Sequence, residues 1–523
     1  MASATNLRSR RSIAQLHALA GVEREIHAQD SHGRRKYLRE FSEAFRNYEC
    51  VLTAQQIQDS VRAADIVLVG DYHALPAAQR YAASLFEQRA LIGDRPVVLG
   101  LETIFARDQH ILDEWWRREI DEAEFRQRIR FDIDWGYGWT PFYELLVAAR
   151  DHGEAVYGLD CMPRDNLRKI GARDRHAAAK IAEVRQRHPN AAVFVLFGES
   201  HLAPAHLPLA IKKELPNDGI LTVLQNVDPL YWHAAGERAE KVDAVRVADD
   251  VICVFNATPL EKYESYRMFL DQWSRCDRML DFAPTIYNLI DSLASFLEIN
   301  RYSPHNGTQP KFLVDMLPEV HGSSSEAVLR RLLSRKGVSA AQLEAMLTHV
   351  DDRGSAYVPE VNAFYFRELQ MAHAAEDATR FLHHACRGLP QRVNGHGPNS
   401  GGRDLDAFYR RVVEHAVAYF GSRVLHPSRE APAAEDSPML SRAACERAAQ
   451  EAIRSNVEAF DSSARQWGYQ LGSAIYAAYL AGRVKPSGLR RLFLAHLDEP
   501  GLARKVCIAV IARVRASGGS ARR

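Results

Sequence analysis

The spacing of apolar positions changes character twice along the chain. Residues 1–60 are polar with apolar residues at helical spacing, as in GRRKYLREFSEAFRNYEC and TAQQIQDSVRAA, a pattern that predicts helices. From Asp65 short, almost continuously apolar runs take over: DIVLVG (65–70), PVVLGLE (96–102), AVYGLD (155–160), AAVFVLFGE (191–199), ILTVLQNV (220–227) and VICVFNA (251–257). Longer amphipathic stretches such as LPAAQRYAASLFEQRALI and RDRHAAAKIAEVRQRH lie between the first of them. A strand that is apolar on both faces is covered on both faces, so strands alternating with helices read as βαβ units of a parallel sheet. The crossover between Glu102 and Ala155 is long, and ARDQHILDEWWRREIDEAEFRQRI within it predicts two helices reaching over the sheet as a lid.

After about residue 275 the strand signal fades. PTIYNLIDSLASFLEI, EAVLRRLLSRKG, DAFYRRVVEHAVAYFGSRVL and ACERAAQEAIRSNVEAFDSSARQWGYQLGSAIYAAYL are amphipathic at the helical period. Ser437-Pro438, and Ser339 with Gln342, supply helix-start signals. GLPQRVNGHGPNSGGRD (388–404) and LHPSREAPAAEDSP (425–438) predict exposed loops. The fold class expected is α/β, with a largely parallel central sheet flanked by helices over 50–270. A helical extension over 1–49 precedes it and an all-α domain over 271–523 follows.

Composition narrows the function classes. The 523-residue chain carries 67 Lys plus Arg against 66 Asp plus Glu, a formal net charge of +1, so no overall field draws it to nucleic acid or to an anionic membrane. Cys50, Cys161, Cys253, Cys276, Cys386, Cys445 and Cys507 are scattered without CxxC spacing, which argues for reduced thiols and against a zinc knuckle or a disulfide framework. The start, MASATNLRSRRSIAQLHALAGVER, lacks the apolar core of a secretory signal. No apolar stretch reaches the roughly 18 residues of a membrane span. A cytoplasmic location is expected.

Chemistry concentrates where strands end. The first run delivers Gly70-Asp71-Tyr72-His73, the second Glu102, the third Asp160 and the fourth Gly198-Glu199-Ser200-His201. Parallel strands place their C-terminal ends on one edge, where open α/β folds bind ligands. Two imidazoles and several carboxylates there suit a divalent metal, and equally a metal-free pair for general acid–base work. Gly70 and Gly198 let the chain turn sharply and approach a ligand. Any one of these polar residues alone is more often a cap or a loop hydrogen-bonder; the repetition on two strand ends is what points to a shared site.

Other features rank lower. Trp115-Trp116 reads as packing. His373, Glu376, His383 and His384 lack metal-ligand spacing and read as a solvated or capped helix face. Residues 324–366, with Arg330, Arg331, Arg335 and Lys336, have the outline of a winged helix, but the neutral balance gives no support to DNA binding.

The segment from about Asp65 to Asn226 resembles the ChaN-like haem-binding domain, part of a superfamily with Tiki proteases, TraB-type proteins and erythromycin esterases. The resemblance rests on VLVGDYHALPAAQRY, VVLGLETIFARDQHILDEWW, FDIDWGYGWTPFYELLVAARDHGEAVYGLD and VLFGESHLAP. The superfamily pattern of Gly-x-x-His, a Glu after the second strand and a second Gly-x-x-His falls on Gly70/His73, Glu102 and Gly198/His201. The Trp-Gly-Tyr loop is the part most specific to the ChaN-like branch, and Asp71 stands where many relatives have Glu.

The resemblance implies a protein that binds haem or iron in a pocket at the strand ends. In it His73, Glu102 and His201 shape the pocket, Asp71, Trp135 and Asp160 line it, and Tyr137 is an axial group. The loop aromatics Trp135, Tyr137, Trp139 and Tyr143 have a plainer reading too, as core that pins the lid helices. The rival function is a hydrolase of an amide or ester that depends on Mn, Zn or Co. There His73, Glu102 and His201 are the metal ligands, and Glu102 or Glu199 activates water. A third is a catalytically idle scaffold whose helical half binds a partner. Whether the chain is an enzyme stays open at this level. The partner expected is a small molecule, with a homodimer allowed, no nucleic acid and no membrane span.

Overall fold

The structure is a computed structural model. It describes all residues except 1–3, 31–35, 163–169, 238–240, 276–279, 300–315, 323–325, 336, 339, 388–403, 433–439 and 516–523. Ser339, Ser437 and Pro438, and nearly all of the loop expected over 388–404, therefore lie outside the described residues. Two compact units divide the chain: Glu25–Leu270, and Met1–Arg24 together with Asp271–Arg523.

The Glu25–Leu270 unit is built on an eight-stranded sheet. Its strands are β1 (Cys50–Val51), β2 (Ile66–Asp71), β3 (Val97–Phe105), β4 (Ala155–Asp160), β5 (Ala192–Gly198), β6 (Ile220–Gln225), β7 (Ala244–Ala248) and β8 (Val251–Val254). They lie in the order β1-β7-β8-β6-β2-β5-β3-β4. Every pairing from β8 to β4 is parallel, whereas β7 runs antiparallel to both β1 and β8. All the apolar runs read from the sequence are strands; β1 and β7 are additional. β1 is two residues long, and β7 (AVRVA) breaks its apolar pattern with the half-buried Arg246.

The continuous apolar runs have the expected cause. Alternate residues of a strand face opposite sides, and both sides are covered. Val67, Val69, Leu99, Phe194 and Leu196 pack with Phe86 and Leu145, from the helices Pro76–Leu91 and Trp139–His152. Ile66, Leu68, Val193, Val195 and Phe197 pack with Ala178, Ile181 and Ile211, from the helices Ile170–Arg187 and Leu207–Glu214. The crossover after β3 holds short helices, Gln109–Trp116, Glu122–Arg128 and Phe131–Asp134, before Trp139–His152. Trp115 is buried there and stacks on Phe125, ring centroids 5.3 Å apart.

The second unit is mainly helical, but a small sheet stands within the domain expected to be all-α. Strands β9 (Glu319–His321), β10 (Ser355–Val358) and β11 (Ala363–Phe366) form a small sheet in the order β10-β11-β9. The β-like wing read within 324–366 is the β10–β11 hairpin, preceded by the helices Glu326–Arg335 and Ala340–Arg353. Arg330 there is held by Glu326 at 2.7 Å and Glu344 at 2.6 Å. The helices Leu405–Leu425 and Val457–Leu480 touch backbone to backbone, since a Cβ at Gly472 would meet the Ala416 carbonyl oxygen at 2.5 Å. The face holding Glu376 and His383 is not solvated as expected: both residues are buried. Among the described residues no helix is long and apolar enough to cross a membrane.

Candidate functional site

β2 runs out at Gly70-Asp71, and the chain turns through Tyr72 and His73 into the helix Pro76–Leu91, whose first-turn proline fits because no hydrogen bond is lost there. The turn folds His73 back onto Asp71, with Nδ1 2.7 Å from Oδ2. The other oxygen of Asp71 accepts from the Gln79 side chain one helical turn on. A carboxylate on Nδ1–H fixes the tautomer and leaves Nε2 as the working nitrogen. Nε2 faces Glu102, 3.9 Å from Oε2.

Glu102 comes from β3 and lies between two imidazoles. The Gly198 N–H at the end of β5 donates to its Oε2 at 2.5 Å, and Arg173 Nη2 donates to its Oε1 at 2.5 Å. On the far side, His201 places Nε2 3.7 Å from Oε1. His201 is backed as His73 is, with Nδ1 2.5 Å from Asp174 Oδ1. Asp160, at the end of β4, grips Arg173 from below through Nε at 2.9 Å and Nη2 at 2.8 Å. The structure thus brings His73 and His201 to either side of Glu102, and Asp160 joins them through Arg173. The two imidazoles differ in access: the His73 side chain is 23% exposed and that of His201 4%.

Glu199 takes a different direction. It pairs with Lys262 of the helix Pro259–Arg275 at 2.9 Å, and Lys262 also donates to the Asn226 carbonyl at 3.2 Å and lies 4.7 Å above the Tyr72 ring. Burial lowers the Lys262 pKa, but the carboxylates of Glu199 and Asp228 outweigh it and keep the ammonium charged.

The aromatic loop divides between the His73 side and the crossover helices. The Trp135 ring centroid lies 4.4 Å from that of His73 and the Tyr137 centroid 5.3 Å from it. Tyr137 stacks on Phe269 at 4.3 Å. Trp139 instead packs on Tyr143 and donates its indole N–H to Glu122 at 2.7 Å, joining the crossover helices. Trp135 and Tyr137 wall the site, while Trp139 and Tyr143 are packing.

The electrostatics separate the groups. Burial lowers the His73 pKa, but the adjacent Asp71 outweighs it and the net shift is upward. Burial raises the Glu102 pKa, and the surrounding His201, Arg173 and His73 overcome this and bring it to about 2. Glu102 is therefore a fixed anion at neutral pH, whereas His73 is placed to gain and lose a proton.

The sequence reading missed Arg173, Asp174 and Lys262. A signal for the first two exists: they fall within the apolar stripe Ile170, Ala177, Ala178 and Ile181 of one helix, where a charged pair has to be buried. Their presence bears on what the site can hold. The guanidinium sits on Glu102 and lies 3.4 Å from His201 Nε2, so a cation already lies among the acceptors expected to bind a metal. Among the described residues no cluster of His, Cys, Asp or Glu has metal-holding geometry.

Gly198 makes the convergence possible. A Cβ there would lie 3.0 Å from Glu102 Oε2 and 3.2 Å from His73 Nε2. Gly198→Ala is expected to displace the His73 ring from Asp71, lowering the His73 pKa and costing about 1–3 kcal/mol by overpacking. Histidine NMR titration and denaturant unfolding check it. A variant with the parent's pKa and midpoint contradicts the geometry.

Comparison with known proteins agrees with the ChaN-like resemblance. Residues 57–193 match the model of the family described as haem-binding uptake, Tiki superfamily, ChaN. The matched segment holds His73, Glu102, Trp135, Tyr137, Asp160 and Arg173, and His201 lies beyond it. Among solved structures the chain is similar to the one described as cofacial heme binding to ChaN of Campylobacter jejuni. That match has 15% identity and a TM-score of 0.29, covering 38% of this chain and 91% of that one. No curated protein matches the chain.

Proposed function

We propose that the ChaN-like segment binds haem at the strand-end edge of the sheet, on the side where His73 is open. The observation that carries this is the Asp71–His73 pair, with its partly exposed imidazole walled by Trp135 and Tyr137. Flat aromatic faces suit a porphyrin, and His Nε2 or a Tyr phenol are the side-chain atoms that ligate haem iron. When bound, haem would supply a redox-active iron, and His73 or Tyr137 would hold it.

The rest is done by the chain itself. Asp71 fixes the His73 tautomer, and Gln79 holds Asp71 in place. Glu102, clamped by Arg173 and the Gly198 N–H, forms a rigid anionic floor under the imidazole. Trp135 and Tyr137 keep water from one side of the ring. Haem titration followed by absorbance tests the proposal. The parent is expected to give a saturable Soret band that His73→Ala or Tyr137→Phe shifts or weakens about tenfold or more, the worth of one lost ligand contact of about 1.4 kcal/mol. A band untouched by both substitutions, or none in the parent, overturns it.

A further inference from the structure

Outside the segment matched to the family, the helix Pro259–Arg275 turns one face to the strand-end edge. Lys262, Tyr266 and Phe269 stand four and three residues apart, the spacing of neighbours on one helix face. Lys262 lies over the Tyr72 ring, and Tyr266 meets the same ring edge-on with centroids 6.3 Å apart. Phe269 reaches further, to the Trp-Gly-Tyr loop. Its ring centroid lies 4.3 Å from that of Tyr137 at an interplanar angle of 20°, whereas the Tyr137 ring is tilted by 57° to that of His73. Of these two neighbours, Phe269 is the one laid flat against a face of Tyr137. Phe269 and Tyr137 both belong to the Glu25–Leu270 unit.

Polar ties hold the first half of this helix. Thr258 and Glu261 cap it reciprocally, the Thr258 N–H donating to Glu261 Oε2 at 2.6 Å and the Glu261 N–H to Thr258 Oγ1 at 3.3 Å. Lys262 is fixed on Glu199, the Tyr263 hydroxyl donates to Asp228 at 2.7 Å and that of Tyr266 to Asp30 at 2.8 Å. The Phe269 side chain has no polar atom, so rotating it breaks no hydrogen bond, and it is only half-buried. Tyr137, also half-buried, stands between Gly138 and Gly136, the latter at a φ of 79° that favours glycine. Carbon layers in contact lie about 3.5–4 Å apart, so a flat ligand between the two rings needs them about 7–8 Å apart. At 4.3 Å there is no room for it.

We propose that Phe269 is a gate on the aromatic side of the His73 site: its ring covers the face of Tyr137 that a planar ligand takes, and it rotates away before such a ligand stacks there. The gate rests on the haem proposal above and adds the residue that controls entry. A site that is open only part of the time binds with an affinity reduced by the open fraction. Phe269 therefore weakens the binding of every flat ligand that stacks on Tyr137, with or without iron. A residue that merely walls the pocket has the opposite signature, because truncating it removes contact with the ligand and loosens binding.

Titration of the full chain with iron-free protoporphyrin IX, followed by fluorescence, and with haem, followed by absorbance, compares the parent with Phe269→Ala and Phe269→Leu. Phe269→Ala is expected to bind both probes about 2- to 12-fold tighter, the equivalent of one aromatic pair. Phe269→Leu, which keeps apolar bulk and loses the flat face, is expected between the two. Nitration of Tyr137 by tetranitromethane in the ligand-free protein, read by peptide mass mapping, is expected to be faster in both variants, since the covered ring face becomes accessible. Equal or weaker porphyrin affinity in both variants overturns the gate, and so does a Tyr137 nitration rate that neither variant changes. No porphyrin binding by the parent or either variant overturns the haem proposal itself, and the gate's ligand with it.

Discussion

Replacing Arg173 by methionine is expected to lower the stability of the Glu25–Leu270 unit by about 3–5 kcal/mol, the range for removing one partner from a buried ion network. Glu102 and Asp160 are both buried, and the Arg173 guanidinium hydrogen-bonds to each. Methionine fills much of the same volume, so the loss reports charge rather than a cavity. The pH dependence identifies the cause. Glu102 titrates near 2 in the folded protein against 4.5 for an ordinary glutamate, so its contribution is complete above about pH 4.5 and fades as pH falls toward 2. The gap between parent and Arg173→Met should therefore be widest at neutral pH and shrink in acid. Arg173→Lys should fall between them, because it keeps the charge and loses the fork on two carboxylates. Denaturant unfolding at pH 7 and pH 3.5 measures all three, and equal midpoints for parent and Arg173→Met at pH 7 would falsify the account.

The site was partly legible in the sequence, for reasons that particular residues show. His73 and Glu102 announce themselves because a polar residue at the end of a doubly covered strand has nowhere to go but the strand-end edge. His201 follows from the same Gly-x-x-His spacing after β5. Glu199 opens the short 3-10 turn Glu199–Leu202, which sends it to Lys262 and His201 to Asp174, a split that the shared spacing does not announce. Arg173 was missed because a charged residue on an amphipathic helix is by default assigned to solvent. Only its place in the apolar stripe with Ile170 and Ala177 betrays it. Strands β1, β7 and β9 were missed for a different reason. Five residues or fewer hold too few alternations to separate a strand from one turn of helix.

Glu376 presents the same physics with the signs reversed, and its replacement is the second large effect expected. Glu376→Gln keeps the shape of the side chain while leaving Arg353, Arg380 and Arg429 with Asp377 as the neighbouring carboxylate. The expected loss is again about 3–5 kcal/mol, appearing as faster amide exchange in the helices Met371–Arg387 and Leu405–Leu425. Burial raises the Glu376 pKa, but Arg380, Arg353 and Arg429 overcome it and hold the carboxyl well below the usual range. The parent's advantage is therefore full above the ordinary carboxylate pKa and wanes only under strongly acid conditions. Exchange rates of the same two helices at pH 7 measure the effect, and equal rates in parent and Glu376→Gln contradict the account.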